Sequence, residues 1–337
     1  MPLRFAFIGF RHGHINGLYR LAEERDGVEI VAACEEDPEA RAATPNAGVR
    51  ITHDSYEAML SDVECDVVAC GDYFGIRGER LIQAMEAGRH VIGDKPLCTS
   101  LDELDRIEEL ADQDGLRVGC MLDLGAGGPF VTLKRMLRDG AVGEVHTITF
   151  LGQHPLRYGK RDMWNFEEGK HGGTINDIGI HAVDFIPPMT GRRIVEVTAA
   201  RAWNARLPQH PHFQDGAIFV LRLDNDGVAM GDVSYLASDR HGYEMPDYWR
   251  FTISGTDGVI EAGCNLDLVR LWRHDTDEVI EETPDEPVKG AFFEDYLNDL
   301  SGSPNQDGLH TARVIESTRI ALIAQRAADT GEFPVPV

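Results

Sequence analysis

The chain predicts an α/β protein in two parts. Residues 1–122 read as a doubly wound parallel sheet, and residues 123–337 as an α+β part with a mostly antiparallel sheet. Three observations carry this. The first third alternates short apolar runs with helix-period segments at the spacing of β-α units. Later strand-like runs follow one another across turn signals such as Asn225-Asp226-Gly227 and Thr256-Asp257-Gly258. The length of 337 residues exceeds one ordinary domain and suits two.

Leu3 to Gly9 is a short apolar run ending in glycine. His14 to Arg25 places Ile15, Leu18 and Leu21-Ala22 at helical spacing. Val28–Cys34 and Cys65–Cys70 read as strands, Ile76–Ala87 as a helix closed by Gly88, and His90–Gly93 as a strand. Leu101–Asp112 is a helix with an acidic outer face, and Leu116–Cys120 closes the alternation. Beyond it, Pro129–Arg138 reads as a helix. Strands are expected at 144–151, 194–202, 217–223, 228–236, 249–254, 258–262 and 266–272. Helices at 291–300 and 309–328 finish the chain.

The net charge of −25 argues against a nucleic-acid backbone or an anionic membrane as the main partner. Hydrophobic and charged fractions of 42% and 26% are ordinary globular values. None of the six cysteines forms a C-x-x-C pair, and four sit in or beside apolar runs. Reduced, buried thiols in a cytoplasmic protein are expected. No signal peptide and no membrane span is read.

Three places carry chemistry. The first strand runs into Gly9-Phe10-Arg11-His12-Gly13-His14 and then a helix, the setting for a dinucleotide phosphate turn. The usual G-x-G-x-x-G is broken: Arg11 and His14 replace the second and third glycines, and Gly13 sits one place early. Glu35 ends the second strand 21 residues past His14, near the spacing for an acid that bonds ribose hydroxyls. A carboxylate there repels a 2′-phosphate, which favours NAD over NADP. Lys95 is one of five lysines and lies at the carboxyl end of the fourth strand, where ligands of such sheets bind.

The third place is Gly172-Gly173-Thr174-Ile175-Asn176-Asp177-Ile178-Gly179-Ile180-His181. On a helix, Asp177 and His181 share a face, and a carboxylate beside an imidazole suits proton transfer near neutral pH. Thr174-x-x-Asp177 also fits a capping box, in which Asp177 satisfies backbone donors. Two H-x-H pairs, His12/His14 and His210/His212, raise a metal question. Both pairs sit in turns and no cysteine or acid completes a defensible ligand set, so no metal is expected.

In order and spacing, these motifs resemble the glucose–fructose oxidoreductase and inositol dehydrogenase family, Gfo/Idh/MocA. The matches are Asp94-Lys95-Pro96, Gly173 through His181, Val31 through Pro38, and Glu86 through Val91. The resemblance implies a Rossmann domain carrying NAD(P) and a second α/β domain with an open sheet. That sheet would supply substrate residues on one side and a homodimer or homotetramer interface on the other. It implies Lys95, Asp177 and His181 as the catalytic group, acting on a small molecule: a sugar, inositol or related polyol. Gly9 through His14, Glu35, Asp72, Tyr73 and Lys95 would hold the cofactor. The stretch Gly71 through Arg77, with Asp72 and Tyr73, stands where the family usually has a Thr-Pro-Asn and a histidine, and Tyr73 and Arg77 would line the substrate cleft.

His181 would take the hydroxyl proton, Asp177 would orient His181 or bond a neighbouring hydroxyl, and Lys95 would stabilise charge on the substrate oxygen. Asp177 and His181 would also touch substrate. The stretch His154 to Trp164, which includes Tyr158, offers His154, Arg157, Lys160 and Arg161 for an acidic substrate and Trp164 for ring stacking; a cationic surface loop balancing an acidic protein is the alternative. Redox-neutral sugar chemistry with tightly held NAD, and a nucleotide-binding relative without catalysis, are the alternatives.

Overall fold

The structure is a computed structural model describing residues 1–337. The first sheet is built from the apolar runs read above. They form β1 (Leu3–Ile8), β2 (Val28–Cys34), β3 (Val67–Cys70), β4 (His90–Gly93) and β5 (Val118–Cys120). All neighbours are parallel, in the order β2-β1-β3-β4-β5. The strands are buried on both faces, as helix-covered parallel sheets require. From β1 the chain builds first to one side and then, through β3, to the other. The space beyond the carboxyl ends of β1 and β3 is therefore the topological switch point, where such sheets bind ligands.

The covering helices are α1 (Ile15–Glu24), α2 (Pro38–Ala43), α3 (Tyr56–Asp62), α4 (Phe74–Glu86) and α5 (Leu101–Asp114). Local chemistry starts three of them. Asp37 accepts from the Glu39 and Ala40 amides ahead of α2, Ser55 caps α3, and Ser100 caps α5. The sequence reading did not anticipate α2 or α3. α2 buries no side chain, so it carries no apolar period to read.

The second sheet has nine strands: β6 (Val145–Pro155), β7 (Ile194–Trp203), β8 (Gly216–Leu223), β9 (Val228–Ala237), β10 (Arg250–Gly255), β11 (Gly258–Gly263), β12 (Val269–Arg273), β13 (Val279–Glu282) and β14 (Val335–Pro336). Their order is β13-β12-β11-β10-β6-β9-β8-β7-β14. Every pairing is antiparallel except β6 with β9. One face is packed under α6 (Gly128–Arg138) and α7 (Ile180–Thr190). Phe130, Phe150, Phe185, Phe219 and Phe251 interlock there, with ring centroids 5.4–5.7 Å apart. Burying each such ring stabilises by about 1.5–3 kcal/mol. The opposite face is partly open at Ile218 and Met230.

The chain does not divide by a single cut at residue 122. The first unit comprises Met1–Met121, Gly169–Gly172 and Phe292–Thr318, and the second takes the remainder. The cause lies in α8 (Ala291–Leu300) and the start of α9 (Thr311–Thr330). Phe293 packs edge-on to Phe5 of β1 at 5.8 Å. Thr311 Oγ1 accepts from the Val118 amide of β5. The ring of Tyr296 occupies the space where a Cβ on Gly119 would stand. No helix is long and apolar enough to cross a membrane.

Candidate functional site

The carboxyl end of the first sheet gathers the residues expected to hold a nucleotide. Gly9 adopts φ +76°, and a Cβ on it would lie 2.6 Å from the backbone of Asp72. Only glycine lets the β1 turn lie against the β3 turn there. Gly71 acts from the other side: a Cβ on it would strike Ile15 at 2.3 Å. The tight helix packing normally provided by the third glycine of the fingerprint is thus provided by Gly71. Gly13, by contrast, is exposed with open space around its Cβ position. The His12 amide donates to Gly71 O, joining the two turns.

Phe10 buries its ring against Phe7 and Tyr19. Its amide donates to Glu35 Oε2 at 2.6 Å, while Glu35 Oε1 accepts from the Asp37 amide at 2.9 Å. Glu35 is only 1% exposed, and burial pushes its carboxyl above the ordinary range against the pull of those amides. Both oxygens are thus engaged within the fold. Guanidinium groups also reach this acidic turn, from outside its sequence. Arg11 pairs with Asp37 at 3.3 Å, Arg80 pairs with Glu36, and Arg41 donates to the Glu35 carbonyl.

Asp72 is buried and accepts from the Tyr73 amide; burial raises its carboxyl. Tyr73 lies under two cations, Arg11 at 5.7 Å and Lys170 at 5.0 Å. Lys95 is buried, with Nζ 5.9 Å from the Phe74 ring centroid. Arg77, expected to line a cleft with Tyr73, does not. It is fully buried and donates to the carbonyls of Asp72, Asp94 and Pro96, tying the ends of β3 and β4 together.

The turn also holds something the sequence reading missed. Asp94, eighty residues along, brings its carboxylate to both His12 and His14. His12 Nδ1 lies 2.5 Å from Asp94 Oδ2, and His14 Nδ1 3.4 Å from Oδ1. An acid does therefore complete the first H-x-H pair. Burial lowers His12 to about 4 against the pull of Asp94. Burial alone would raise Asp94, but the facing imidazoles hold it well below the usual carboxylate range.

In the second unit the segment carrying Asp177 is not an ordinary helix start. Ile175–Gly179 forms a π turn before α7. Its entry is set by Gly173, at φ +96°, where a Cβ would collide with Gln325 at 2.1 Å. Gln325 Oε1 then accepts from the Ile175 amide. The capping-box alternative fails here. Thr174 is itself helical and its hydroxyl donates to the Gln214 carbonyl, while Asp177 accepts from the Tyr235 hydroxyl. Asp177 is 3% exposed and His181 half-buried. π turns recur at functional sites.

Aromatic residues frame this pair. Trp249 stands edge-on to His181 at 5.6 Å and to His154 at 5.8 Å. Arg161 stacks over the Tyr235 ring at 4.8 Å, and Arg157 over Tyr243 at 4.8 Å. Trp249 and Arg157 are two of the three non-glycine residues with positive φ, a strain that folds tend to keep at functional places. Of the expected substrate residues, Arg157, Tyr158 and Lys160 are exposed on the loop after β6. Tyr158 hydrogen-bonds His210 at 2.9 Å. Trp164 is buried, where stacking on a sugar would need an open ring face. Tyr235 went unread because it lies in an apolar strand run that looks like ordinary core, and Trp249 because it stands directly ahead of another.

Comparison with known proteins matches these two parts. Residues 3–121 match the family model described as "Oxidoreductase family, NAD-binding Rossmann fold", and residues 130–261 match the GFO/IDH/MocA C-terminal domain. The chain is 22% identical to D-xylose dehydrogenase of Paenarthrobacter nicotinovorans, over 71% of this chain and 64% of that one. It is 26% identical to inositol 2-dehydrogenase 2 of Saccharopolyspora erythraea, over 64% and 61%. These matches span less than two thirds of either relative's length. The solved myo-inositol 2-dehydrogenase of Lactobacillus plantarum superposes with a TM-score of 0.78 over the whole of both chains, at 22% identity, a likeness of fold. The chain belongs to the GFO/IDH/MocA oxidoreductase family.

Proposed function

We propose that the protein is an NAD-dependent dehydrogenase acting on a carbinol carbon of a sugar, inositol or related polyol. The observation that carries this is the Asp177–His181 pair: a buried carboxylate held by Tyr235, one turn from a half-buried imidazole, on a glycine-entered π turn. The switch-point turns of the first unit fit the nucleotide. Gly9 lets the β1 and β3 turns close on one another at the switch point, with the N-terminal end of α1 beside them, the setting in which such sheets hold a phosphate.

When bound, the nicotinamide supplies the hydride acceptor. His181 removes the hydroxyl proton, a contribution of roughly 10²–10⁴-fold. Asp177 fixes the imidazole or bonds a neighbouring substrate hydroxyl. Lys95 stabilises the negative charge developing on the substrate oxygen. Arg157, Tyr158 and Lys160 meet polar groups of the substrate, and an association of two or four copies uses the open face of the second sheet at Ile218 and Met230. NAD is favoured over NADP by the acids Glu35, Glu36 and Asp37; Arg11 and Arg80 work against that preference.

The test measures NAD and NADP affinity, then screens sugars, inositols and sugar acids for NADH formation. Lys95→Ala and His181→Ala are expected to cut turnover roughly tenfold or more while remaining folded. Wild-type turnover in both, or cofactor retained through desalting with no NADH formed from any of them, overturns the reading.

A further inference from the structure

We propose that His12, His14 and Asp94 bind one divalent first-row transition-metal ion on the phosphate turn of the first unit. The three candidate donor atoms all lie within 4.8 Å of one another. Around a tetrahedral zinc with bonds of about 2.0–2.1 Å, donor atoms stand roughly 3.3 Å apart. His14 Nδ1 already stands 3.4 Å from Asp94 Oδ1, and His12 Nδ1 2.5 Å from Oδ2. Only small side-chain movements separate this arrangement from a ligand shell. His14, whose side chain is 55% exposed, can make the larger one.

The surroundings fix the donors as a built site would. The Asp94 side chain is fully buried. Its Oδ1 accepts from the Lys95 amide at 2.7 Å, and its own carbonyl is held by Arg77, so the carboxylate cannot swing away. The His12 ring is wedged edge-on to Phe74 at 5.1 Å, and its amide is held by Gly71 O. The His12 and His14 ring centroids lie 4.4 Å apart, the planes tilted by 58°. Two imidazoles and one carboxylate select zinc, iron, manganese or cobalt over magnesium or calcium, which prefer all-oxygen shells. Three protein ligands leave a coordination position open to water or another oxygen donor. Arg11 and His14 stand where nucleotide-binding turns place glycine, so the departure from that motif includes a ligand. The proposal requires no nucleotide.

The experiment strips the full-length protein with a chelator and titrates it with zinc against a chromophoric competitor, with magnesium as the hard-cation control. One equivalent of zinc should bind in the micromolar range or tighter, with no competing effect of magnesium. His14→Gln should weaken binding tenfold or more while the metal-free melting temperature stays unchanged. His212→Gln, removing an exposed imidazole that pairs with Glu168 in the second unit, should change nothing. X-ray absorption of the zinc-loaded wild type should show two imidazoles in the shell, a readout independent of any variant's folding. Failure to bind zinc, equal affinity in His14→Gln, or a shell without imidazole overturns the proposal.

Discussion

The hydroxyl of Tyr235 donates to the carboxylate of Asp177, joining the carboxyl-terminal part of β9 to the π turn. That bond holds a buried charge in place one turn from His181. Tyr235→Phe keeps the ring and removes only the donor. Stability should fall by about 1.5–3 kcal/mol, the range for a hydrogen bond to a charged group, measured by urea unfolding. Turnover should fall about tenfold with KM little changed, because the imidazole loses its positioning rather than substrate its contacts.

Two glycines of the phosphate turn should answer differently to alanine. Gly9→Ala forces a Cβ into the Asp72 backbone at positive φ, costing roughly 1–3 kcal/mol and most of the NAD affinity. Gly13→Ala meets open space and should unfold within about 0.5 kcal/mol of wild type. Thermal melts and cofactor titrations of the pair check this.

Arg77 should prove structural. Arg77→Leu leaves the carbonyls of Asp72, Asp94 and Pro96 without their donor in a buried setting. A loss of about 3–5 kcal/mol is expected. Arg77→Lys should recover part of it, having one donor group in place of a fork. Chemical denaturation of both variants measures the difference.

Glu35 gives the protein a signed dependence on pH. Its folded carboxyl is raised by burial above the ordinary value of 4.5, so the folded state favours the protonated form. Stability from this group is complete below 4.5 and is lost as pH rises through the folded value. Glu35→Gln removes that titration. The melting temperature of Glu35→Gln minus that of wild type should therefore rise between acidic and neutral pH. A flat difference would show that the carboxylate is no harder to ionise in the folded protein than in the unfolded chain.

The parallel sheet was legible because buried strands and amphipathic helices of the first 120 residues carry strong periods, and turn pairs marked the later hairpins. The family followed from Asp94-Lys95-Pro96 and the Asp177–His181 spacing. What stayed hidden was set by distance along the chain. Asp94 reaches His12, Gly71 replaces a glycine missing near residue 14, and Tyr235 finds Asp177, each across a gap no local pattern spans. Glu35 was at the expected spacing, yet both its oxygens serve backbone amides, a destination that spacing cannot reveal. The return of α8 to the first sheet is of the same kind: its apolar face is plain, but not which sheet it covers.

That return bears on how the molecule is made. As the polypeptide leaves the ribosome, the parallel sheet can assemble once residue 121 emerges, but Phe5 stays uncovered until Phe293 arrives. A nascent or proteolytically clipped fragment ending near 121 would present that aromatic surface to solvent and tend to self-associate. Anyone wishing to study the nucleotide-carrying half by itself would need to splice 292–318 back onto it.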